Sequence, residues 1–276
     1  MTYYDAIKEQ LQRILQEDGL VTVLTGAGIS AESGIPTFRG PEGYWTVGSD
    51  VYHPQEMATF RMFQRHPEDV WQWYLHRATV CHRAAPNAGH LALVEMEKQL
   101  GARFLLMTQN VDGLHLRAGS SPERTYQIHG NLFFMRCAVD CRPDLLPLPA
   151  GLIGRDKAQP LAAAETRQLV CPACGGRTRP HVLWFDETYN EHHFRFQSAL
   201  RAALATRLLI VVGTSGATNL PNQVAGAVQR NGGTIFDVNI EVNPFSPLAR
   251  QSPGGGFFKA SSSRFLPELI HWIKRV

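Results

Sequence analysis

Leu20-Val21-Thr22-Val23-Leu24-Thr25-Gly26-Ala27-Gly28-Ile29-Ser30 decides the fold. Leu20 to Thr25 is a short apolar run rich in β-branched residues, the composition of a buried strand. It passes straight into two glycines and a serine. A strand, a glycine-rich turn and a helix start form the first unit of a nucleotide-binding α/β domain. Gly-x-Gly alone is a weak signal, because it says only that the backbone turns tightly or approaches something closely. Upstream, Ile7, Leu11, Ile14 and Leu15 recur at i, i+4, i+7 and i+8, so most of Met1 to Leu20 reads as an amphipathic helix. Gly19 is the expected C-cap of that helix.

Three later runs share the character of the first strand. Arg103 to Thr108 leads into Gln109, Asn110 and Asp112; Arg207 to Val212 leads into Gly213, Thr214 and Ser215; Thr234 to Val238 leads into Asn239 and Glu241. In a parallel sheet such loops gather at the C-terminal edge of the strands, where ligands bind. Helices are expected over Asn87 to Leu100, Phe194 to Thr206, Pro221 to Asn231 and Leu266 to Val276. Two stretches interrupt this rhythm. Pro36 to about Pro86 is aromatic-rich and helical in part, and Asn131 to Arg179 carries four cysteines around a Pro/Gly-rich middle. The expected fold is therefore α/β: a Rossmann-like parallel-sheet domain from 1–35, 87–130 and 180–276, a helical insertion at 36–86 and a small module at 131–179.

Composition narrows the class. The 276 residues are 44% hydrophobic and 18% charged, which fits a packed core and argues against wholesale disorder. A formal net charge of +3 with no dense Lys/Arg run does not favour a nucleic-acid binder. No run of 18 apolar residues occurs and no secretory signal is visible, so the expectation is a soluble cytoplasmic protein, with a monomer as the default.

Cys137 and Cys141 are separated by three residues, Cys171 and Cys174 by two, with Gly175 and Gly176 following. Two such knuckles offer four thiolates to a tetrahedral Zn²⁺ without leaving an open position, so the predicted site is structural. The bland alternative is unrelated thiols or a disulfide pair. Cys81, the fifth cysteine, reads as an ordinary partly buried thiol.

His129-Gly130 stands at the gate of the cysteine module, and histidine is the natural neutral acid/base near pH 7. Taken alone it is more often a structural histidine. The chain has no Ser-His-Asp elbow, no His-Glu-x-x-His and no Walker loop.

Together these pieces resemble the sirtuin family. The resemblance rests on Gly26-Ala27-Gly28-Ile29-Ser30, Gly34-Ile35-Pro36-x-Phe38-Arg39, Gln109-Asn110-x-Asp112-Gly113-Leu114-His115 and His129-Gly130. The cysteine pairs, Arg179-Pro180, Gly213-Thr214-Ser215 and Asn239-x-Glu241 extend it over nearly the whole chain. It implies NAD as cofactor and zinc as structural metal. Gly26, Ala27, Gly28, Ser30 and Arg39 are then expected at the pyrophosphate and adjacent ribose, and Ile35, Phe38, Gln109, Asn110 and Asp112 at nicotinamide. Gly213, Thr214, Ser215, Asn239 and Glu241 are expected at adenosine. It further implies removal of acyl groups from protein lysine, giving nicotinamide, free lysine and O-acyl-ADP-ribose. His129 is then the general base on the ribose hydroxyls, with Asn110 and Asp112 as fixed polar groups around the developing cation. Leu183 and Phe185 are expected to meet the substrate.

Tyr74 and Arg77 share a helix face in Trp71-Gln72-Trp73-Tyr74-Leu75-His76-Arg77. The segment is similar to the sirtuin class that removes succinyl, malonyl or glutaryl groups, in which such a pair lies deep in the acyl pocket. Three places depart from the family pattern. Asp186 replaces a glycine and puts a charge near the expected peptide, Gly216 to Pro221 is one residue longer, and Ala260-Ser261-Ser262 stands at the adenine end. The alternatives are an ADP-ribosyltransferase or NAD glycohydrolase on the same fold, and a non-catalytic NAD sensor.

Overall fold

The computed structural model describes residues 3–37, 54–154 and 159–274. In chain order its strands are β1 (Leu20–Thr25), β2 (Phe104–Thr108), β3 (Thr125–Gln127), β4 (Gly130–Cys137), β5 (Leu146–Pro147), β6 (Thr178–Val182), β7 (Thr206–Val212), β8 (Thr234–Asn239) and β9 (Gly256–Lys259). Six of them form a parallel sheet in the order β3-β2-β1-β7-β8-β9. The remaining three form an antiparallel sheet, β5-β4-β6.

Strand alternation divides the core of the parallel sheet. Val21, Val23, Leu106, Ile210, Val212 and Phe236 face the helices Tyr3–Gln16, Ala88–Leu100 and Ser262–Ile273. Leu24, Leu105, Met107, Leu209, Val211 and Ile235 face the helices Phe196–Ala205, Asn219–Arg230 and Phe245–Gln251. With a side-chain period of two, a sheet covered on both faces needs apolar residues at every position, hence the unbroken apolar runs. A third core joins the helix Pro67–Arg83 to the small sheet through Trp71, Tyr74, Leu75, Met135, Val182 and Trp184.

The α/β fold with its cysteine cluster is as expected, and β1 matches the expected bounds residue for residue. Several details differ. The first helix ends at Gln16, so Gly19 is not its C-cap. Gly19 is required for another reason: a Cβ there would lie 2.4 Å from Cγ of Arg207. Gly101–Arg103 is a 3₁₀ turn, so β2 begins at Phe104. The expected helix from Phe194 to Thr206 is broken at Arg195, which takes the left-handed conformation at φ 54°. Thr206 already belongs to β7, and the last helix starts at Ser262, four residues before the expected Leu266.

Candidate active site

The strand order reverses between β1 and β7, and both strands end on glycine loops. Such a switch point opens a crevice beyond the strand ends. Gly26 N–H donates to Val212 O at 2.9 Å, and Gly28 N–H donates to Gly213 O at 2.8 Å. The two loops touch backbone to backbone. A Cβ on Gly28 would lie 2.7 Å from Cα of Gly213, which itself sits at φ 58°. Glycine at both positions is therefore a packing requirement. The Ser30 amide is engaged with Ala27 O at 3.1 Å.

The loop after β2 fills the middle of the crevice. Ser30 Oγ–H donates to Asp112 Oδ2 at 2.7 Å, and Asn110 Nδ2–H donates to Ser30 Oγ and to Gly26 O, both at 3.1 Å. Leu114 N–H donates to the other Asp112 oxygen at 2.9 Å. Burial pushes the Asp112 carboxyl above the usual carboxylate range, and the Leu114 and Ser30 donors work against that rise. Gln109 spans the crevice: its Nε2–H reaches Thr214 Oγ1 at 2.9 Å, and its Oε1 accepts from Thr218 Oγ1 at 2.9 Å. Asn239 Nδ2–H donates to the Thr214 carbonyl at 2.9 Å.

His129 stands beside this cluster, between β3 and β4. Its Nδ1 lies 3.0 Å from the Gln109 carbonyl, which can only accept, so Nδ1 carries the proton and Nε2 the lone pair. Protein crowds the ring closely enough that burial pushes its pKa down to about 4, with the Gln109 carbonyl acting in the opposite direction. At neutral pH the imidazole is uncharged and able to accept a proton. Its backbone is fixed as well, since Leu183 N–H donates to His129 O at 3.0 Å.

Tyr74 and Arg77 are 2% and 4% exposed on the buried face of their helix. Trp184 Nε1–H donates to Tyr74 Oη at 2.8 Å, and burial pushes the phenol up to about 12, so it stays protonated. The Arg77 guanidinium lies 4.7 Å from the centre of the Trp73 ring and 5.5 Å from that of Tyr74.

Cys137, Cys141, Cys171 and Cys174 place their sulfurs within 4.8 Å of one another. The Cys137–Cys174 and Cys141–Cys171 sulfur separations are 3.7 and 3.6 Å. A tetrahedron with Zn–S bonds of about 2.3 Å has an edge of about 3.8 Å, whereas a disulfide needs about 2.05 Å. The four thiols therefore fit zinc and exclude a disulfide. The buried amide and carboxyl of Asn110 and Asp112 fit a carboxamide-bearing nucleotide such as NAD. Cys81 is buried, its thiol pushed up to about 12 chiefly by that burial, which keeps it unreactive.

Not every expected site residue joins this assembly. Phe38 and Arg39 lie outside the described residues. Ile35 is buried in the core shared with Tyr74. Ser215 and Glu241 are exposed, as are Phe185, at 56%, and Asp186. Asp186 caps the helix Phe60–Arg65, accepting from the amides of Phe60 at 2.7 Å and Arg61 at 3.0 Å. It has no positive φ. The longer loop is anchored by Asn222 Nδ2–H, which donates to Gly216 O at 2.8 Å and Thr218 O at 2.9 Å. Sequence reasoning missed Tyr189, whose hydroxyl is 2.7 Å from His129 Nε2, and the Trp184 bond to Tyr74. No motif marks either contact.

No helix among the described residues is long and apolar enough to cross a membrane. The Sir2 family model matches residues 26–219. The chain is 40% identical over 247 residues to an NAD-dependent protein deacylase of Thermus thermophilus, with 88% of each chain covered. It is 37% identical over 254 residues to one of Leptospira interrogans, with 92% of each covered. Among solved structures, a Sir2 homologue bound to NAD superposes with a TM-score of 0.78 at 32% identity, covering 97% of this chain and 94% of that one. From the crevice at the strand switch to the four-cysteine cluster, and across these relatives, the chain belongs to the Sir2 family.

Proposed function

We propose that this chain is an NAD-dependent protein-lysine deacylase that prefers short acyl groups ending in a carboxylate. NAD supplies an electrophilic ribose carbon with nicotinamide as leaving group. The chain's own residues bind, orient and move a proton. Gln109, Asn110 and Asp112 hold the nicotinamide half with buried, preorganised polar groups, whose effect is greatest where water is excluded. His129 accepts a ribose hydroxyl proton at Nε2 while its Nδ1–H stays on the Gln109 carbonyl. The Leu183 carbonyl receives the acyl-lysine N–H. Zinc, in a closed four-thiolate site, orders the small sheet and takes no part in the reaction.

The observation that carries the acyl preference is the buried juxtaposition of Tyr74 and Arg77. A planar guanidinium and a protonated phenol together offer three donors to a terminal carboxylate. Charge-assisted bonds of this kind contribute about 1.5–3 kcal/mol each, and an acetyl group makes none of them. Loss of one such bond corresponds to roughly a 10- to 150-fold change in kcat/KM. Arg77→Met removes the two guanidinium donors and is therefore expected to lower kcat/KM on succinyl-lysine peptides by at least that factor, with acetyl-lysine peptides affected less than about threefold. Mass spectrometry of free lysine and O-acyl-ADP-ribose provides the readout. An unchanged succinyl-to-acetyl ratio would remove the assignment.

A further inference from the structure

Among the groups around His129, Tyr189 has the least expected place. It lies in the irregular segment between β6 and the helix Glu191–Phe194, with no secondary structure of its own. Its hydroxyl oxygen is 2.7 Å from His129 Nε2, and the two rings are 5.8 Å apart at 36°. The proton assignment follows from the neighbours. Because His129 Nδ1–H is committed to the Gln109 carbonyl, Nε2 of the neutral ring can only accept, so the phenol must donate. The Thr218 side chain and the Leu220 backbone, at the start of the helix Asn219–Arg230, oppose the rise that burial gives the phenol pKa.

We propose that Tyr189 is a positioning residue that occludes His129 in the ligand-free chain: its O–H fills the lone pair that a ribose hydroxyl must use, and a ligand bearing that hydroxyl displaces it. The proposal rests on reading His129 as the base. The exchange is one hydrogen bond for another. Before it, phenol O–H points to Nε2; after it, ribose O–H does, and the phenol turns to water. Nδ1–H stays on Gln109 in both states, so the tautomer is set in advance. Tyr189 is not itself a proton carrier, since burial raises its pKa to about 12. Ligands that fill only the adenosine half leave the phenol in place, so the cover would come off only for a nucleotide carrying the second ribose.

ADP and ADP-ribose separate the possibilities, because ADP lacks that ribose. Tyr189→Phe keeps the ring and its stacking on Phe196, which lies 6.1 Å away at 21°. The variant no longer has a donor to be displaced. By isothermal titration, ADP-ribose is expected to bind Tyr189→Phe about three- to fivefold tighter than wild type, the equivalent of about one neutral hydrogen bond. ADP should bind both alike. In long-range ¹H–¹⁵N spectra of the ligand-free variant, the His129 Nε2 resonance should move toward that of an imine nitrogen without a donor. Equal ADP-ribose affinity in the two proteins would overturn the proposal. Weaker ADP-ribose binding with ADP unchanged would also overturn it, by making the phenol a ribose ligand. If Tyr189→Phe loses its thermal transition, Tyr189→Trp, an aromatic ring without the phenol, takes its place against the same two ligands. These are binding measurements and need no turnover. Undiminished turnover by His129→Ala would instead sink the base reading alone.

Discussion

The crevice at the end of the parallel sheet and the region around the small sheet are built differently. Where the loops after β1 and β7 form the crevice seam, main chain meets main chain: Gly28 N–H bonds to Gly213 O, and Gly26 N–H to Val212 O. Around the small sheet, pairs of side chains carry the contacts. Arg179 grips Glu187 through both terminal nitrogens, Arg136 pairs with Asp140 and approaches Glu187 at 3.7 Å, and the Arg179 guanidinium stacks 3.6 Å from the centre of the Trp184 ring. Trp184 in turn holds Tyr74. A backbone-built seam is indifferent to most of the side chains around it but admits no Cβ at its glycines. A site built from side-chain pairs tolerates backbone adjustment but depends on each partner.

The largest effect that sharpens this contrast is expected at the metal. Structural zinc contributes about 10–16 kcal/mol in small zinc-finger peptides. Cys171→Ser, or chelation of wild type, should therefore unfold the small sheet, seen as loss of hydrogen-exchange protection at β4 and β6. The parallel sheet should keep its protection. Glu187→Gln comes next. It takes the carboxylate from Arg179, which is 1% exposed, leaves Arg136 with Asp140 alone, and also weakens the bond from the Trp184 amide to Glu187 Oε2. Breaking a buried pair in this way costs about 3–5 kcal/mol, and urea unfolding should report it with zinc content unchanged. Gly28→Ala probes the other side. Its Cβ would meet the Gly213 backbone, and such overpacking costs about 1–3 kcal/mol. ADP-ribose affinity should fall while the region around Arg179 is untouched. Asp186→Ala is the smallest: loss of the cap on Phe60 and Arg61 should cost about 1 kcal/mol. If Gly28→Ala and Glu187→Gln disturb both regions equally, the contrast fails.

The same division explains what could be read in advance. β1, β2, β7 and β8 announce themselves because a strand buried on both faces must be apolar throughout. Their glycine loops and the cysteine knuckles are local in sequence, so spacing alone exposes them. β3 and β9 went unread. They are three and four residues long and lie at the two edges of the sheet, where little burial is demanded of them. The helix Phe245–Gln251 is too short to show a period. Asn110 and Asp112 were visible as polar groups at a strand end, and His129 as a histidine before a glycine at the gate of the cysteine module. Tyr189 was not, because sixty residues separate it from the imidazole it touches. Asp186 looked like a charge aimed at substrate, and only the fold brings it to a helix start.

His129 O accepts from Leu183 N–H, and Gly130 is paired with Val182. The rung that carries the imidazole is thus shared with the stretch proposed to receive the lysine peptide. If the peptide settles along Leu183 as proposed, it bears on the same peptide plane that aims the ring. Sequence changes in the guest would then reach the imidazole as small tilts, so that affinity and turnover would vary together instead of being tuned one at a time.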